Sequence, residues 1–144
     1  MFSMKMPNIA PLLLTMQKTS EEVPDKVLAQ VAQNARDIAR ATAPHLTGTL
    51  ARSIYCNKVA DGYEVGSPLV YAWAVEFGSG VYGTGPTATG EPIGPTSATH
   101  LSFKIGGEWI RVRYVMGQHP QPFLRPACEQ ALAGVDDIKV TGLD

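Results

Sequence analysis

The clearest periodicity in the chain lies between Thr19 and Ala43. Val27, Val31, Ala35 and Ile38 recur at steps of four and three, and Leu28, Ala32 and Ala39 widen the apolar stripe. Asp25, Lys26, Gln30, Gln33, Asn34, Arg36, Asp37 and Arg40 fill the remaining positions. This spacing predicts an amphipathic helix with one core-facing side. Thr19 and Glu22 fit a capping box, and Pro24 falls in the first turn, where a missing N–H has no intrahelical acceptor to lose. Glu21, Glu22 and Asp25 at its start and Arg36 and Arg40 near its end suit the helix dipole. Pro44 stops it by restricting Ala43. Ahead of this helix, residues 9–17 predict a shorter one with Asn8 as N-cap, in a segment 1–18 expected to be flexible.

After Pro44, residues 47–54 predict a capped turn of helix running into a strand. Residues 55–60 and 63–66 flank Asp61-Gly62, a strong hairpin signal. Residues 69–77 predict a short helix ending at Gly78. Periodicity then fails from 78 to 99, where six glycines and three prolines fall between Gly78 and Pro95. This predicts a long loop, mobile until something holds it. A second hairpin follows around Gly106-Gly107, pairing Ile105 with Glu108, Phe103 with Ile110 and Leu101 with Val112. That register puts most apolar side chains on one face, and Ser102, Lys104, Trp109, Arg111 and Arg113 on the other. Pro126 is placed to start a last helix over 127–133, closed by Gly134. A tail, 135–144, includes a short strand over 138–140. The fold class expected is α+β over a single domain, 1–144. An antiparallel β-sheet built from two hairpins packs against one long amphipathic helix, with a short C-terminal helix and a long Gly/Pro-rich loop.

Composition narrows the function classes. The chain has 144 residues, a net charge of −1 and 17% charged residues, against a usual value of about 25%. An apolar share of 44% excludes wholesale disorder, and the neutral balance argues against a nucleic-acid binder by bulk electrostatics. Two cysteines, Cys56 and Cys128, make no disulfide scaffold. The run Leu12-Leu13-Leu14 is too short for a membrane span or a secretory core, so no membrane partner is expected. The scarcity of charge is local. Seven charged residues lie between Glu21 and Arg40, whereas 66–105 holds only Glu76, Glu91 and Lys104. That marks the Tyr71 segment and the loop as an expected assembly surface, because weakly charged surfaces associate.

Candidate chemistry is sparse. Gly78, Gly80 and Gly83 spell G-x-G-x-x-G, but Thr84-Gly85-Pro86-Thr87 cannot begin the helix that a dinucleotide site needs. His45, His100, His119, Cys56 and Cys128 lack paired zinc-ligand spacing. No cofactor, metal or catalytic residue is expected, and the chain does not read as an enzyme; a Cys128 or His119 nucleophile would need an activated thiol. Lys104, Arg111 and Arg113 beside Trp109 form the best binding signal, either for a neighbouring subunit or for phosphates and stacked bases.

Three phrases read together add a resemblance. Ala43-Pro44-His45-Leu46-Thr47-Gly48-Thr49-Leu50-Ala51-Arg52-Ser53-Ile54 follows the long helix. Next comes Tyr71-Ala72-Trp73-Ala74-Val75-Glu76-Phe77-Gly78, and last Gln121-Pro122-Phe123-Leu124-Arg125-Pro126-Ala127. Their order resembles the tail-completion, or minor tail protein Z-like, family of long-tailed bacteriophages, over roughly residues 21–133. One departure is the loop after the second phrase, which is longer and less charged here than is usual in that family.

The resemblance implies a structural virion protein of the phage neck, assembled in the host cytoplasm, that joins the tail to the DNA-filled head. It implies a ring of copies, six being the commonest number, touching a head connector or stopper and a tail terminator or tube, close to DNA in the channel. A tail terminator or head-closure stopper in an adjacent ring is the neighbouring alternative, and a nucleic-acid-binding accessory protein a more distant one. The family-motif positions are Pro44, Thr47, Gly48, Leu50, Ser53, Ile54, Tyr71, Ala72, Glu76, Phe77, Gly78, Pro122, Phe123, Leu124, Arg125, Pro126 and Ala127. Leu50 and Ile54 are expected to pin the turn to the long helix, and Tyr71 and Phe77 to supply core area. Glu76 and Arg125, two charges among apolar neighbours, are expected to pair.

Overall fold

The computed structural model describes residues 12–45, 48–86 and 88–142. Its first element corrects the reading of the N-terminal segment. Leu12–Lys18 is a strand, β1, not a helix, and lies inside the main sheet rather than in a flexible tail. Leu12, Leu14 and Met16 are buried to within 1% of full burial, while Leu13, Thr15 and Gln17 are half-buried on the other face. This is the period-two pattern of a one-sided strand. The start of the expected helix, including Asn8, lies outside the described residues.

The long helix α1 spans Asp25–Thr42. Its N-cap is Pro24, without a side-chain cap, so the Thr19/Glu22 capping box does not form. The Thr19 N–H is used elsewhere, donating to the Asp137 carbonyl at 2.7 Å. Leu28, Val31, Ala32, Ala35 and Ala39 are the buried stripe, with Val27 and Ile38 at its margins. Ala43 leaves the helix with extended backbone, as the following proline requires.

A short helix α2, Thr49–Ser53, leads into β2, Tyr55–Val59, and β3, Gly62–Ser67. The pair forms the expected hairpin, but its turn is Ala60-Asp61, one residue earlier than the Asp-Gly signal, because Val59 pairs with Gly62. Helix α3 covers Ala72–Phe77, and a 3₁₀ turn covers Gly80–Tyr82. Strands β4, Leu101–Ile105, and β5, Glu108–Val112, pair in the register read from their apolar pattern. Helix α4 spans Leu124–Ala131, and β6 spans Ile138–Thr141.

The protein is α+β with antiparallel sheets and four α-helices among the described residues. The two hairpins, however, do not share a sheet. The main sheet has the order β2-β3-β1-β6, and β4-β5 stands apart as a two-stranded ribbon. The free edge of β3 is taken by β1, which pairs Leu12 with Ser67 and Leu14 with Val65. On its other side β1 pairs Met16 with Val140 of β6, so the C-terminal segment closes the sheet instead of trailing as a tail. The sheet approaches closely at Gly66, where a Cβ would meet the Leu12 carbonyl oxygen at 2.2 Å.

Helix α1 packs across β1, β2 and β3, with α4 alongside it. The core joins Leu12, Leu14, Met16 and Val65 of the sheet to Leu28, Val31, Ala32, Ala35 and Ala39 of α1 and to Phe123, Leu124, Ala127 and Cys128 around α4. Among the described residues of 78–122 none joins the main core cluster, although Leu101 of β4 is itself buried. The Gly/Pro-rich loop is nevertheless fastened. Val81 N–H donates to the Met116 carbonyl at 2.8 Å, Ser79 N–H to Gln118 at 3.0 Å, and Ile93 and Val115 exchange two backbone bonds.

Candidate functional site

The three sequence phrases meet at one end of the fold. In the first, Gly48 adopts φ +76°, a left-handed turn that admits glycine without strain, and α2 begins at once. Thr47 lies outside the described residues. Leu50 and Ile54 are buried in the core and hold α2 against α1, as expected. Ser53 Oγ donates to the Leu50 carbonyl at 2.5 Å and lies 2.7 Å from Ser67 Oγ, which accepts the Leu69 N–H. Arg40 donates from Nε and Nη2 to the Ile54 carbonyl at 2.9 and 2.6 Å. The sequence reading missed this role of Arg40, taking it as a charge on the helix's exposed side.

The second and third phrases are joined by one carboxylate. Glu76, only 2% exposed, accepts the backbone N–H groups of Phe123 and Leu124 on Oε2 at 2.8 and 2.9 Å, and that of Arg125 on Oε1 at 2.9 Å. A helix start leaves its first N–H groups without intrahelical acceptors, and Glu76 satisfies them from another element. Glu76 meets Arg125 through the Arg125 backbone N–H, and the Arg125 guanidinium lies 5.5 Å from the Phe77 ring centre. The structure also corrects the helix start: α4 begins at Leu124, ahead of Pro126, whose absent N–H costs nothing in a first turn. Phe123, Leu124 and Ala127 are buried, and Pro122 and Pro126 are exposed.

In α3 the packing residues are Ala72 and Phe77. Tyr71 departs from expectation, being 47% exposed with Val70 at 57% beside it. Gly78 closes α3, and Thr84 returns to bond the Phe77 carbonyl through N–H and Oγ1. Between the phrases lies a groove of about 390 Å³ lined by Pro44, Gly48, Leu50, Tyr71, Val75 and Gln121.

The β4–β5 ribbon presents the basic face read from the sequence. Lys104 Nζ sits 5.5 Å from the centre of Trp109, its cross-strand partner, and Trp109 is 73% exposed. Arg111, also exposed, faces Ser102 on the same side, and Arg113 follows the end of β5. Ile105, Tyr114 and Met116 are exposed too, so both faces of this arm offer apolar surface.

Among the described residues, no three His, Cys, Asp or Glu side chains cluster as metal ligands. His119 stacks on Tyr82 with ring centres 3.8 Å apart. Burial pushes the Cys128 thiol up to about 11, with Glu129 adding to it, and pushes the Cys56 thiol up less far. Cys128 is therefore a neutral thiol near pH 7, the opposite of an activated nucleophile. Since folding favours its neutral form, Cys128 contributes stability below the unfolded thiol's range that is lost as pH rises through about 11. Alkylation of folded protein at pH 8 is expected to be slow at Cys128 and fast after unfolding in urea, measured by mass spectrometry of the labelled peptide. Comparison with protein-family models, curated proteins and solved structures returned no match. Among the described residues, no helix is long and apolar enough to cross a membrane.

Proposed function

We propose that this chain is a structural protein of a long-tailed phage neck, assembling into a ring that joins the tail to the DNA-filled head. The observation that carries the reading is the Glu76 junction. The phrases that resemble the tail-completion family are far apart in sequence, yet the carboxylate of one binds three N–H groups of another. Two of the three phrases are thus joined directly, α3 to the start of α4. A second feature fits the same reading. Apart from the buried Leu101, the described residues of the arm and the loop stay out of the main core cluster and expose Ile105, Trp109, Tyr114 and Met116, a surface suited to a partner. Deleting the gene from a phage genome is expected to leave filled heads and free tails that do not unite, seen by electron microscopy. Normal infectious particles from that deletion would overturn the reading.

The exposed Lys104–Trp109 pair, with Arg111 beside it, favours one second reading, an accessory protein that binds nucleic acid through this face. That reading requires binding that weakens steeply with added salt.

A further inference from the structure

Two patches of opposite net charge stand out on this molecule. One is the β4–β5 arm, whose strands extend about 17 Å at the usual strand rise. It carries Lys104, Arg111 and Arg113 against Glu108 alone. Its root is tied to Ser79 and Val81, just past α3, and Gln118 below it lines the groove beside Pro44 and Gly48. The arm therefore springs from the side of the fold where α1 ends.

The start of α1 lies about 27 Å away, the length of its 18 residues. There the chain gathers Glu21, Glu22, Asp25, Asp61, Asp136 and Asp137, all exposed. Glu21, Asp25 and Asp61 line a groove of about 610 Å³ together with Lys18, Lys58, Val59 and Tyr63. Asp137 is held beside them by its carbonyl bond to Thr19. Lysines stand here as well. Lys18 is engaged by Asp25 at 2.8 Å and by Glu21 at 3.9 Å, while Lys26, Lys58 and Lys139 leave the carboxylates in excess. This end thus offers a mainly polar groove, with half-buried Val59 and Tyr63 in its wall and carboxylates in excess around it, to an arm with an exposed tryptophan between cations.

We propose that the β4–β5 arm of one copy docks in the acidic groove at the start of α1 of a second copy. Because the two surfaces are different patches of the chain, the contact is heterologous. Such a contact repeats until it closes into a ring. Trp109 supplies the apolar anchor over Val59 and Tyr63, and Arg111 and Arg113 meet Glu21 and Asp61. The inference rests on the self-associating reading above and names the surfaces that reading requires.

The test uses two variants of the full chain, altered only at exposed positions. One loses the arm's contacts through Trp109→Ser, Arg111→Ser and Arg113→Ser. The other reverses the groove through Glu21→Lys and Asp61→Lys. Circular dichroism checks that both fold, and sedimentation velocity reads mass. The unmodified chain is expected to associate at low salt and to dissociate as salt rises. Each variant alone is expected to sediment as a single chain. Mixed one to one, they should give a two-chain species, since the first keeps an intact groove and the second an intact arm. An arm variant that associates like the unmodified chain overturns the proposal, while the neck reading stands or falls on the gene deletion. An unmodified chain that stays monomeric at every concentration also overturns it. So does an arm that binds duplex DNA, with that binding abolished in the arm variant and no self-association.

Discussion

A chain shortened to begin at Thr19 is expected not to fold. β1 is an inner strand, bonded to β3 on one side and β6 on the other. Its loss removes Leu12, Leu14 and Met16 from the core. Each such side chain contributes about 1.5–3 kcal/mol by burial, so three together approach the whole stability of a typical domain, about 5–15 kcal/mol. The ladder to β3 goes as well, and β6 is left with no neighbour. Far-UV circular dichroism and urea titration check this, and a cooperative transition near that of the full chain would contradict it. Leu14→Asp tests the same strand without shortening the chain. Leu14 has no solvent exposure, and an unpaired carboxylate there cannot be solvated. It is expected to unfold the protein, whereas Gln17→Asp on the half-buried face should cost far less.

The second large effect is expected at Glu76. Glu76→Ala leaves the N–H groups of Phe123, Leu124 and Arg125 without their acceptor, at a place where Phe123 and Leu124 are almost wholly buried. An unsatisfied buried donor costs about 1–3 kcal/mol. With some relief from entering water, a total loss of about 3–5 kcal/mol is expected. Glu76→Gln should be milder, about 1–3 kcal/mol. Its single amide oxygen can serve the two N–H groups that share Oε2, but its NH₂ group would face the Arg125 N–H. The urea midpoint at constant slope separates the three proteins. If Ala and Gln variants were equally stable, the carboxylate would be packing rather than capping α4.

The effect should also spread along one route. Gln121 N–H donates to the Val75 carbonyl at 2.7 Å, and Arg125 lies over Phe77. Loosening the start of α4 therefore loosens the wall that α3 gives to the groove between the three phrases. The positions that carry the family resemblance are, on this view, the joints of that wall.

Local features were legible in the sequence. The amphipathic stripe gave α1, because helix periodicity needs only its own residues. Gly106-Gly107 between alternating apolar residues gave the β4–β5 register pair by pair, because a two-residue turn leaves little freedom. Gly48 was legible as a turn residue because glycine takes a left-handed backbone without strain. The alternation of Leu12, Leu14 and Met16 with Leu13, Thr15 and Gln17 was present as well. It was outweighed by the apolar run at its start, which fits either period over so short a length.

The tertiary structure alone decided what came from far along the chain. A single strand cannot specify its neighbours, so the place of β1 between β3 and β6 follows from packing against α1. The second hairpin pairs in the expected register but stands apart from the main sheet, which β1 and β6 complete instead. Glu76 was visible as a charge among apolar residues, and burial implied a partner. That the partner is the backbone of α4, 47–49 residues away, is not written in any local pattern. Backbone N–H groups are the same in every residue but proline, so sequence does not mark which of them a buried carboxylate will meet.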